Sequence, residues 1–261
     1  MDQDYWRIIH KSLIPKFYLK LSTQRRTVID QLLTKFTWII PFIQSVAPCC
    51  LCNEKIKQTR RYQVPTLCRV CFNDLRFLPN GLDLTQTEIM AQLVCDNVDG
   101  IATIGDYSWP LSMWLSQLKF SQGLQASRLI GYLLARQVEQ QNWPEIDLVC
   151  ALPLHPLRWV SRGYNQSVLI MSAFLKEIET PVYTGLVRHK YTRAQSASNR
   201  EKRLTNIANA FIAIEPILDK KVLLIDDVLT TGASIKAATL ALKNAGATDV
   251  YIACGATRLF I

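Results

Sequence analysis

The segment 222–234, VLLIDDVLTTGAS, constrains the fold of this chain more than any other feature of its sequence. An apolar run typical of a buried parallel strand ends at the adjacent carboxylates of Asp226 and Asp227. A loop rich in threonine follows and leads directly into a helical pattern over residues 233–245. Because open α/β sheets bind ligands beyond the C-terminal ends of their strands, this segment predicts a ligand site in an α/β domain.

The loop after the acidic pair has the chemistry of a phosphate site. It supplies hydroxyl groups, a glycine that permits close backbone approach, and the free N–H groups of a helix start. Its residues are Thr230, Thr231, Gly232, Ala233 and Ser234. The carboxylates of Asp226 and Asp227 suit the vicinal hydroxyls of a ribose but would repel a phosphate, so sugar and phosphate are expected in successive parts of one ligand. No Gly-Lys-Ser/Thr follows, which argues against a nucleoside-triphosphate loop. The alternative is a generic acidic strand–helix turn.

The long C-terminal part of the chain alternates between strand-like and helix-like patterns. The predicted strands are 100–107, 147–152, 221–225 and 250–256, and the predicted helices are 124–140, 165–178 and 233–245. Because the two types alternate, the expected fold class is α/β, with a parallel sheet flanked by helices. A small cysteine ribbon and N-terminal helices are expected to precede it.

Four of the eight cysteines form two matched Cys-x-x-Cys pairs. Cys49 and Cys52 are followed, after fifteen residues, by Cys68 and Cys71. Two such pairs place four thiolates around one tetrahedral ion, so we expect a closed, structural Zn²⁺ site on a small ribbon. Cys50 could replace Cys49 as a ligand, but only Cys49 keeps the two-residue gap to Cys52. Four buried free thiols are the alternative.

The net charge of +9 is concentrated near the N-terminus. The first eighty residues carry thirteen Lys/Arg against five Asp/Glu, whereas the remaining residues carry seventeen against sixteen. Cations beside an aromatic side chain can neutralise phosphates and stack a base, which indicates that the ribbon contacts single-stranded DNA. The residues concerned are Lys55, Lys57, Arg60, Arg61 and Tyr62. An ordinary solvated hairpin is the alternative.

The first forty residues favour a helix that precedes the ribbon. Apolar residues recur at helical spacing from an N-cap at Ser22 or Thr23 to Ile40, just before Pro41. We interpret this segment as a helix packed onto the body of the protein, with a membrane-surface helix as the alternative. Residues 1–21 form an accessory helix or arm. No apolar stretch is long enough to span a membrane and no clear secretion signal is present, so we expect the cysteines in the reducing cytoplasm.

Several further motifs follow one another in a fixed order along the chain. They are Tyr107…Pro110-Leu111 before Leu118-Lys119-Phe120, then Leu152-Pro153-Leu154-His155 before Arg162-Gly163-Tyr164-Asn165-Gln166, then Gln195…Arg203…Asn206…Ala210-Phe211. Segment 222–234 resembles the phosphoribosyl pyrophosphate (PRPP) signature of type I phosphoribosyltransferases. Together with the other motifs it resembles the competence protein F family (ComF/ComFC), whose members are linked to DNA uptake and DNA utilisation. The resemblance runs from about Val46 to Arg258.

The resemblance implies a role for each matched residue. Asp226 and Asp227 would meet the ribose hydroxyls of PRPP directly or through Mg²⁺, and the loop 230–234 would cradle the 5′-phosphate. The turn of Leu152, Pro153 and Leu154 occupies the place of the pyrophosphate-binding loop. The candidate pyrophosphate clamps are Arg158, Arg162, Arg200, Arg203 and Lys119. Independently of the family, the basic run over residues 188–203 could close over a pyrophosphate.

The resemblance also implies a domain organisation, with two departures. Many family members carry a second pair of Cys-x-x-Cys motifs, whereas residues 77–99 here hold only Cys95. One zinc ion is therefore expected, with a longer tether or a small helical linker at 85–94 in place of a second ribbon. The usual threonine near the end of the phosphate loop is Ser234, which keeps the hydroxyl. The expected domains are a basic extension at 1–45, a zinc ribbon at 46–80, a linker at 81–99 and a phosphoribosyltransferase-like domain at 100–261.

The function that this resemblance implies is a role in DNA uptake or DNA utilisation, combined with binding of PRPP. Expected partners are single-stranded DNA and proteins such as a DNA-uptake helicase or a recombination mediator, which would bring the protein to the inner face of the membrane. The alternative is an active phosphoribosyltransferase of nucleobase or nucleotide salvage without a direct DNA role. Because no segment identifies a nucleobase pocket, the sequence predicts PRPP binding and leaves catalytic transfer open.

Overall fold

The computed structural model describes residues 48–56, 64–75, 77–118, 123–154, 163–189 and 209–258. The chain divides into two compact units, the first spanning Met1–Arg76 and the second Phe77–Ile261. The predicted N-terminal helix and the arm over residues 1–21 lie outside the described residues. In the part of the chain that is described, no helix is both long and apolar enough to cross a membrane.

The first unit contains the short helix α1 (Arg69–Asp74). Cys68 is its N-cap, and the Cys68 Sγ accepts a hydrogen bond from the backbone N–H of Cys71 at 3.4 Å. Val64 and Leu67 are buried just before the helix. Within residues 64–75, buried apolar side chains thus lie directly before the segment that carries the second cysteine pair.

The second unit alternates strands and helices along most of its length. Its elements are β1 (Gly100–Thr103), α2 (Leu111–Gln117), α3 (Gly123–Glu139), β2 (Leu148–Ala151), α4 (Gln166–Phe174), β3 (Leu186–Arg188), β4 (Phe211–Ala213), β5 (Lys220–Leu229), α5 (Ala233–Asn244) and β6 (Ala247–Thr257). The four-stranded sheet has the order β1-β6-β5-β2, and all of its strand pairs are parallel. The predicted α/β fold, with a parallel sheet and helices around it, is confirmed.

Strand β5 lies inside the sheet and is covered on both faces. Residues 222–226 are all buried, and successive side chains of a strand point to opposite faces. Val222 and Leu224 belong to a core cluster with Leu242 of α5. The alternate residues, Leu223 and Ile225, therefore point to the opposite face of the sheet, where α3 and α4 pack. These two helices approach closely, because a Cβ on Gly131 would lie 2.5 Å from the Cβ of Ala173.

Four predicted boundaries differ clearly from the structure. β5 continues past residue 225 to Leu229, because its ladder with β6 extends to the pair Leu229 and Thr257. α4 ends at Phe174, and beyond it the N–H groups of Lys176 and Glu177 bond carbonyls only three residues back, which tightens the turn. The first strand ends at Thr103 instead of residue 107, and β6 begins at Ala247 instead of residue 250. The antiparallel pair of β3 and β4 was not predicted.

The linker before β1 is held to the second unit by Asp83. Its Oδ1 accepts from the N–H groups of Thr85 and Ile101, both at 2.9 Å, and its Oδ2 accepts from the indole Nε1 of Trp143 at 2.7 Å. Of the two alternatives for this segment, a longer tether or a small helical linker at 85–94, the structure has helical turns: two short 3₁₀ helices, Leu84–Gln86 and Glu88–Gln92. Asp83 is the N-cap of the first of them.

Candidate functional site

The acidic pair lies in the C-terminal part of strand β5, near the C-terminal edge of the sheet. There Asp226 is opposite Cys254 of β6. Two donors bind the Oδ1 of Asp226: the hydroxyl of Ser167 at 2.9 Å and the backbone N–H of Asp227 at 2.8 Å. The Oδ1 of Asp227 accepts from the N–H of Val228 at 2.9 Å. Both carboxylates are therefore held in fixed positions by the residues around them.

The electrostatics of the pair favour a ligand that compensates its charge. Burial, and next the negative charge of Asp227, raise the pKa of Asp226 well above its usual value, although the Asp227 N–H and the Ser167 hydroxyl act in the opposite direction. A bound cation or a hydroxyl donor would offset the cost of ionising Asp226. The pair is thus suited to a sugar diol or to a divalent metal ion.

The loop 230–234 runs from β5 into α5 with Gly232 as the N-cap. Gly232 has a φ of 82°, a left-handed conformation that strains any residue with a Cβ. The linker contacts this loop directly: the N–H of Val94 donates to the carbonyl of Thr231 at 2.9 Å, and a Cβ on Gly232 would lie 2.8 Å from the Sγ of Cys95. The conformation of the loop therefore depends on both the glycine and the linker.

A cavity of about 350 Å³ opens at this edge of the sheet. It is lined by Tyr107, Leu152, Pro153, Leu154, Gln166, Ser167, Arg188, Asp226, Asp227, Val228, Thr230, Ser234 and Arg258. The cavity brings together the acidic pair, the hydroxyl residues at the two ends of the loop and the turn after β2. Thr231, Gly232 and Ala233, also predicted to bind PRPP, are not part of the lining. Lys119, Arg158, Arg162, Arg200 and Arg203 lie outside the described residues.

The turn after β2 is fixed to both β5 and α4. The N–H of Leu152 donates to the carbonyl of Ile225 at 2.8 Å, and the carbonyl of Leu152 accepts from the Nδ2 of Asn165 at 2.9 Å. Asn165 is also the N-cap of α4, since its Oδ1 accepts from the N–H of Ser167 at 3.0 Å. One asparagine thus fixes the start of α4 beside the cavity.

Two arginines line the cavity, and neither was assigned a separate role from the sequence. Arg188 is buried at the end of β3, with its guanidinium 5.3 Å from the ring centroid of Phe211. Arg258 follows β6, with its guanidinium 5.7 Å from the ring of Tyr107. Arg188 was included only in the basic run, and Arg258 only marked the end of the resemblance. The position of Arg258 directly after a predicted parallel strand could have indicated a place in the site, because such positions meet at the C-terminal edge of a sheet. The hydroxyl of Ser167 carried no sequence signal.

The first unit contains a cluster of four cysteine sulfurs. The Sγ atoms of Cys49, Cys52, Cys68 and Cys71 all lie within 4.8 Å of one another, and those of Cys52 and Cys68 are 3.7 Å apart. Four thiols at this separation could hold a metal ion such as zinc. The predicted set is therefore brought together, and Cys50 is not part of it.

Backbone N–H groups favour the thiolate form of one cysteine of the cluster, Cys49. Although burial raises the pKa of Cys49, N–H donors from Cys52, Cys68 and Leu51 outweigh it and lower that pKa to about 6. Burial and then the neighbouring sulfurs raise the pKa of Cys71. A divalent cation would stabilise all four thiolates at once, which fits this donor set.

The predicted DNA-contact residues are only partly within the described chain. Lys55 is exposed beside the first cysteine pair. Lys57, Arg60, Arg61 and Tyr62 lie outside the described residues. Their contact with DNA stays a prediction.

Comparison with known proteins identifies the family. A profile of the phosphoribosyl transferase domain matches residues 165–259. Competence protein ComFC of Streptococcus pneumoniae is 32% identical over 161 residues, which cover 61% of this chain and 70% of that protein. The DNA utilization protein YhgH of Escherichia coli O157:H7 is 30% identical over 162 residues, which cover 59% of this chain and 70% of that protein.

A solved structure, the glutamine phosphoribosylpyrophosphate amidotransferase of B. subtilis complexed with ADP and GMP, is also similar. It is 19% identical, with a TM-score of 0.35, over 53% of this chain and 30% of that one, so this chain spans less than a third of that enzyme. The two curated relatives, by contrast, are matched over most of their length. The chain carries a phosphoribosyltransferase domain and belongs to the competence protein F (ComF) family.

Proposed function

We propose that this protein binds PRPP with Mg²⁺ in the cavity of its second unit and acts in DNA uptake or DNA utilisation. The observation that carries the proposal is the placement of two adjacent carboxylates and a hydroxyl-rich loop around one cavity of about 350 Å³. PRPP contains a diol between two phosphate groups, so it needs both kinds of partner at a short separation.

Within the cavity, Asp226 and Asp227 receive the ribose hydroxyls, directly or through Mg²⁺. Hard oxygen ligands suit that ion, and its charge would offset the burial, and next the repulsion from Asp227, that raise the pKa of Asp226. When bound, Mg²⁺ supplies charge neutralisation for the diphosphate. The loop 230–234 receives the 5′-phosphate, with the hydroxyls of Thr230 and Ser234 on the cavity and the N-terminus of α5 behind them.

The pyrophosphate group lies against the turn of residues 152–154. Arg188 and Arg258 supply positive charge on the walls of the cavity. Each guanidinium lies over an aromatic ring, which limits the orientations that the side chain samples and prepares it for an anion. The clamp residues predicted from the family, Arg158, Arg162, Arg200, Arg203 and Lys119, join this set in the proposal.

The first unit holds one structural Zn²⁺ through Cys49, Cys52, Cys68 and Cys71. Four thiolates leave no ligand position for water, so the ion organises the unit and takes no part in chemistry. Two Cys-x-x-Cys pairs at metal-site spacing favour a reducing compartment such as the cytoplasm, where thiols stay available as metal ligands.

The zinc ribbon contacts single-stranded DNA through Lys55, Lys57, Arg60, Arg61 and Tyr62. The exposure of Lys55 and the concentration of positive charge in the first eighty residues support this assignment. The names of the relatives, a competence protein and a DNA utilization protein, support a DNA-related role. Protein partners of DNA uptake, such as a helicase, belong to the same proposal.

Calorimetric titration with PRPP and Mg²⁺ tests the cavity assignment. The wild-type chain is expected to bind one PRPP, and the double variant Asp226→Asn/Asp227→Asn to lose binding at least a hundredfold. Asp219→Asn is the control, because Asp219 is exposed and its φ of 57° suits asparagine. Absence of binding by the wild type, or equal affinity of the double variant, would contradict the proposal.

Fluorescence anisotropy with labelled single-stranded DNA, measured against salt, tests the ribbon assignment. The affinity is expected to fall with salt, with a slope of about 0.7 for each phosphate contact. Lys55→Ala/Lys57→Ala should reduce the slope by about 1.4, while Lys220→Ala/Lys243→Ala in the second unit should leave it unchanged. A salt-independent affinity, or equal effects of the two double variants, would remove the ribbon from the proposal.

A further inference from the structure

The N-terminus of α4 contains a buried hydrogen-bond donor without a partner. Gln166, the first residue of this nine-residue helix, is 2% exposed and lines the cavity. Its Nε2 has no hydrogen-bond partner among the residues that the structure describes. A buried donor that stays unsatisfied is unfavourable, so its position at a ligand cavity calls for an acceptor on the ligand.

The neighbours of Gln166 anchor the start of α4 at the cavity. Asn165 bonds the turn after β2 through the carbonyl of Leu152, and Ser167 donates to the Oδ1 of Asp226 at 2.9 Å. Gln166 lines the same cavity as the turn of residues 152–154 and the acidic pair.

The ligand group that faces this amide must be an acceptor. The carboxylates of Asp226 and Asp227 are acceptors and suit the ribose hydroxyls, whereas an amide N–H is a donor and suits a phosphate oxygen. In PRPP the 5′-phosphate is taken by the loop 230–234, which leaves the pyrophosphate on C1, next to the ribose diol. We infer that Gln166 binds the pyrophosphate of PRPP and makes the site select PRPP over ribose 5-phosphate. This inference rests on the proposed PRPP binding and adds to it a residue that discriminates between two ligands.

Two variants of the full chain test the assignment. Gln166→Leu keeps a side chain of similar size and removes the donor, and Gln166→Glu places a negative charge where the pyrophosphate is expected. Ser172→Ala is the matched control: Ser172 lies on the same helix and is 2% exposed, its Oγ is also unpartnered among the described residues, and it does not line the cavity.

Binding of PRPP with Mg²⁺ is measured by calorimetry, and ribose 5-phosphate with Mg²⁺ is measured as a competitor. Gln166→Leu should weaken PRPP about tenfold to a hundredfold, as expected for a lost hydrogen bond to a charged group. Gln166→Glu should weaken it at least as much. The affinity for ribose 5-phosphate should change less than about twofold in Gln166→Leu, and Ser172→Ala should leave both ligands unchanged.

The affinities for PRPP and for ribose 5-phosphate are compared on the same protein preparation. Partial unfolding of a variant therefore leaves their ratio unchanged, and it appears separately as a binding stoichiometry below one. Unchanged PRPP affinity in Gln166→Leu, or equal weakening of both ligands, would overturn the assignment while PRPP binding itself stands. Failure of the wild-type chain to bind PRPP would overturn the proposed function and this inference together. A loss of PRPP affinity in Ser172→Ala equal to that in Gln166→Leu would also overturn the assignment, because the loss would then come from a general disturbance of α4.

Discussion

Replacing Gly232 by alanine would impose two separate costs on the phosphate loop. At a φ of 82° an L-residue is in the left-handed region, which costs about 1–2 kcal/mol. The new Cβ would also lie 2.8 Å from the Sγ of Cys95, inside the normal contact distance of about 3.5–4.0 Å. Overpacking of this kind costs about 1–3 kcal/mol. We expect Gly232→Ala to lower the free energy of unfolding by about 2–5 kcal/mol.

Two companion variants separate these costs. Gly163 has a φ of 81°, and no described atom lies within 4 Å of a Cβ placed on it, so Gly163→Ala should show only the backbone cost of about 1–2 kcal/mol. Cys95→Ala removes the Sγ and leaves a Cβ at 3.1 Å. In the double variant with Gly232→Ala it should recover about 1–2 kcal/mol, a coupling between the two positions.

Urea unfolding followed by circular dichroism measures each free energy, and calorimetry with PRPP measures the effect on the cavity. Gly232→Ala should also weaken PRPP binding, because displacement of the loop moves Thr230 and Ser234. Equal losses of stability in Gly232→Ala and Gly163→Ala would refute the steric argument. Strictly additive effects of Gly232→Ala and Cys95→Ala would refute the contact between loop and linker.

Three further predictions concern the acidic pair and the cysteine cluster. Because the pKa of Asp226 is raised on folding, its ionisation destabilises the folded chain as the pH rises. Asp226→Asn should therefore stabilise the protein by about 1 kcal/mol or more at pH 8 and little at pH 4 in urea unfolding; a larger gain at pH 4 would contradict this. Ser167→Ala removes one of two donors to Asp226 and should weaken PRPP binding about threefold to tenfold by calorimetry, whereas an unchanged affinity would argue against a positioning role. Metal analysis should find one zinc per wild-type chain and per Cys50→Ser chain and almost none in Cys68→Ser, and the reverse pattern would exclude the proposed ligand set.

Local sequence patterns were sufficient to predict the type of most strands and helices and the chemical type of the groups at each site. The Cys-x-x-Cys spacing selected Cys49 over Cys50, and the four sulfurs of that set lie within 4.8 Å. Alternating apolar runs predicted a parallel sheet with helices, because the buried strands of such a sheet need no polar face. The sequence also indicated that carboxylates and hydroxyls would meet at one edge, since Asp226 and Ser234 are separated by only one strand end and one loop.

Boundaries depended on contacts with distant residues. The carboxylates were expected to end β5, yet the strand continues to Leu229 because β6 supplies hydrogen-bond partners through Thr257. The linker was expected to be a longer tether or a small helical segment; it contains 3₁₀ helices, and Asp83 anchors it by binding Trp143, which lies 60 positions away. In each case the deciding partner lies far along the chain, where a local pattern carries no information.

The residue types of both sites can be read from the chain: cysteines at metal-site spacing, a carboxylate pair, and a phosphate-type loop at a helix start. Which other residues join them depends on how the chain folds. Ser167 reaches Asp226 across 59 positions, Cys95 packs on Gly232, and Arg258 enters the cavity with Arg188. The physical reason is that donor and acceptor type belong to a single residue, whereas burial and distance depend on how strands from separate parts of the chain pair in the sheet.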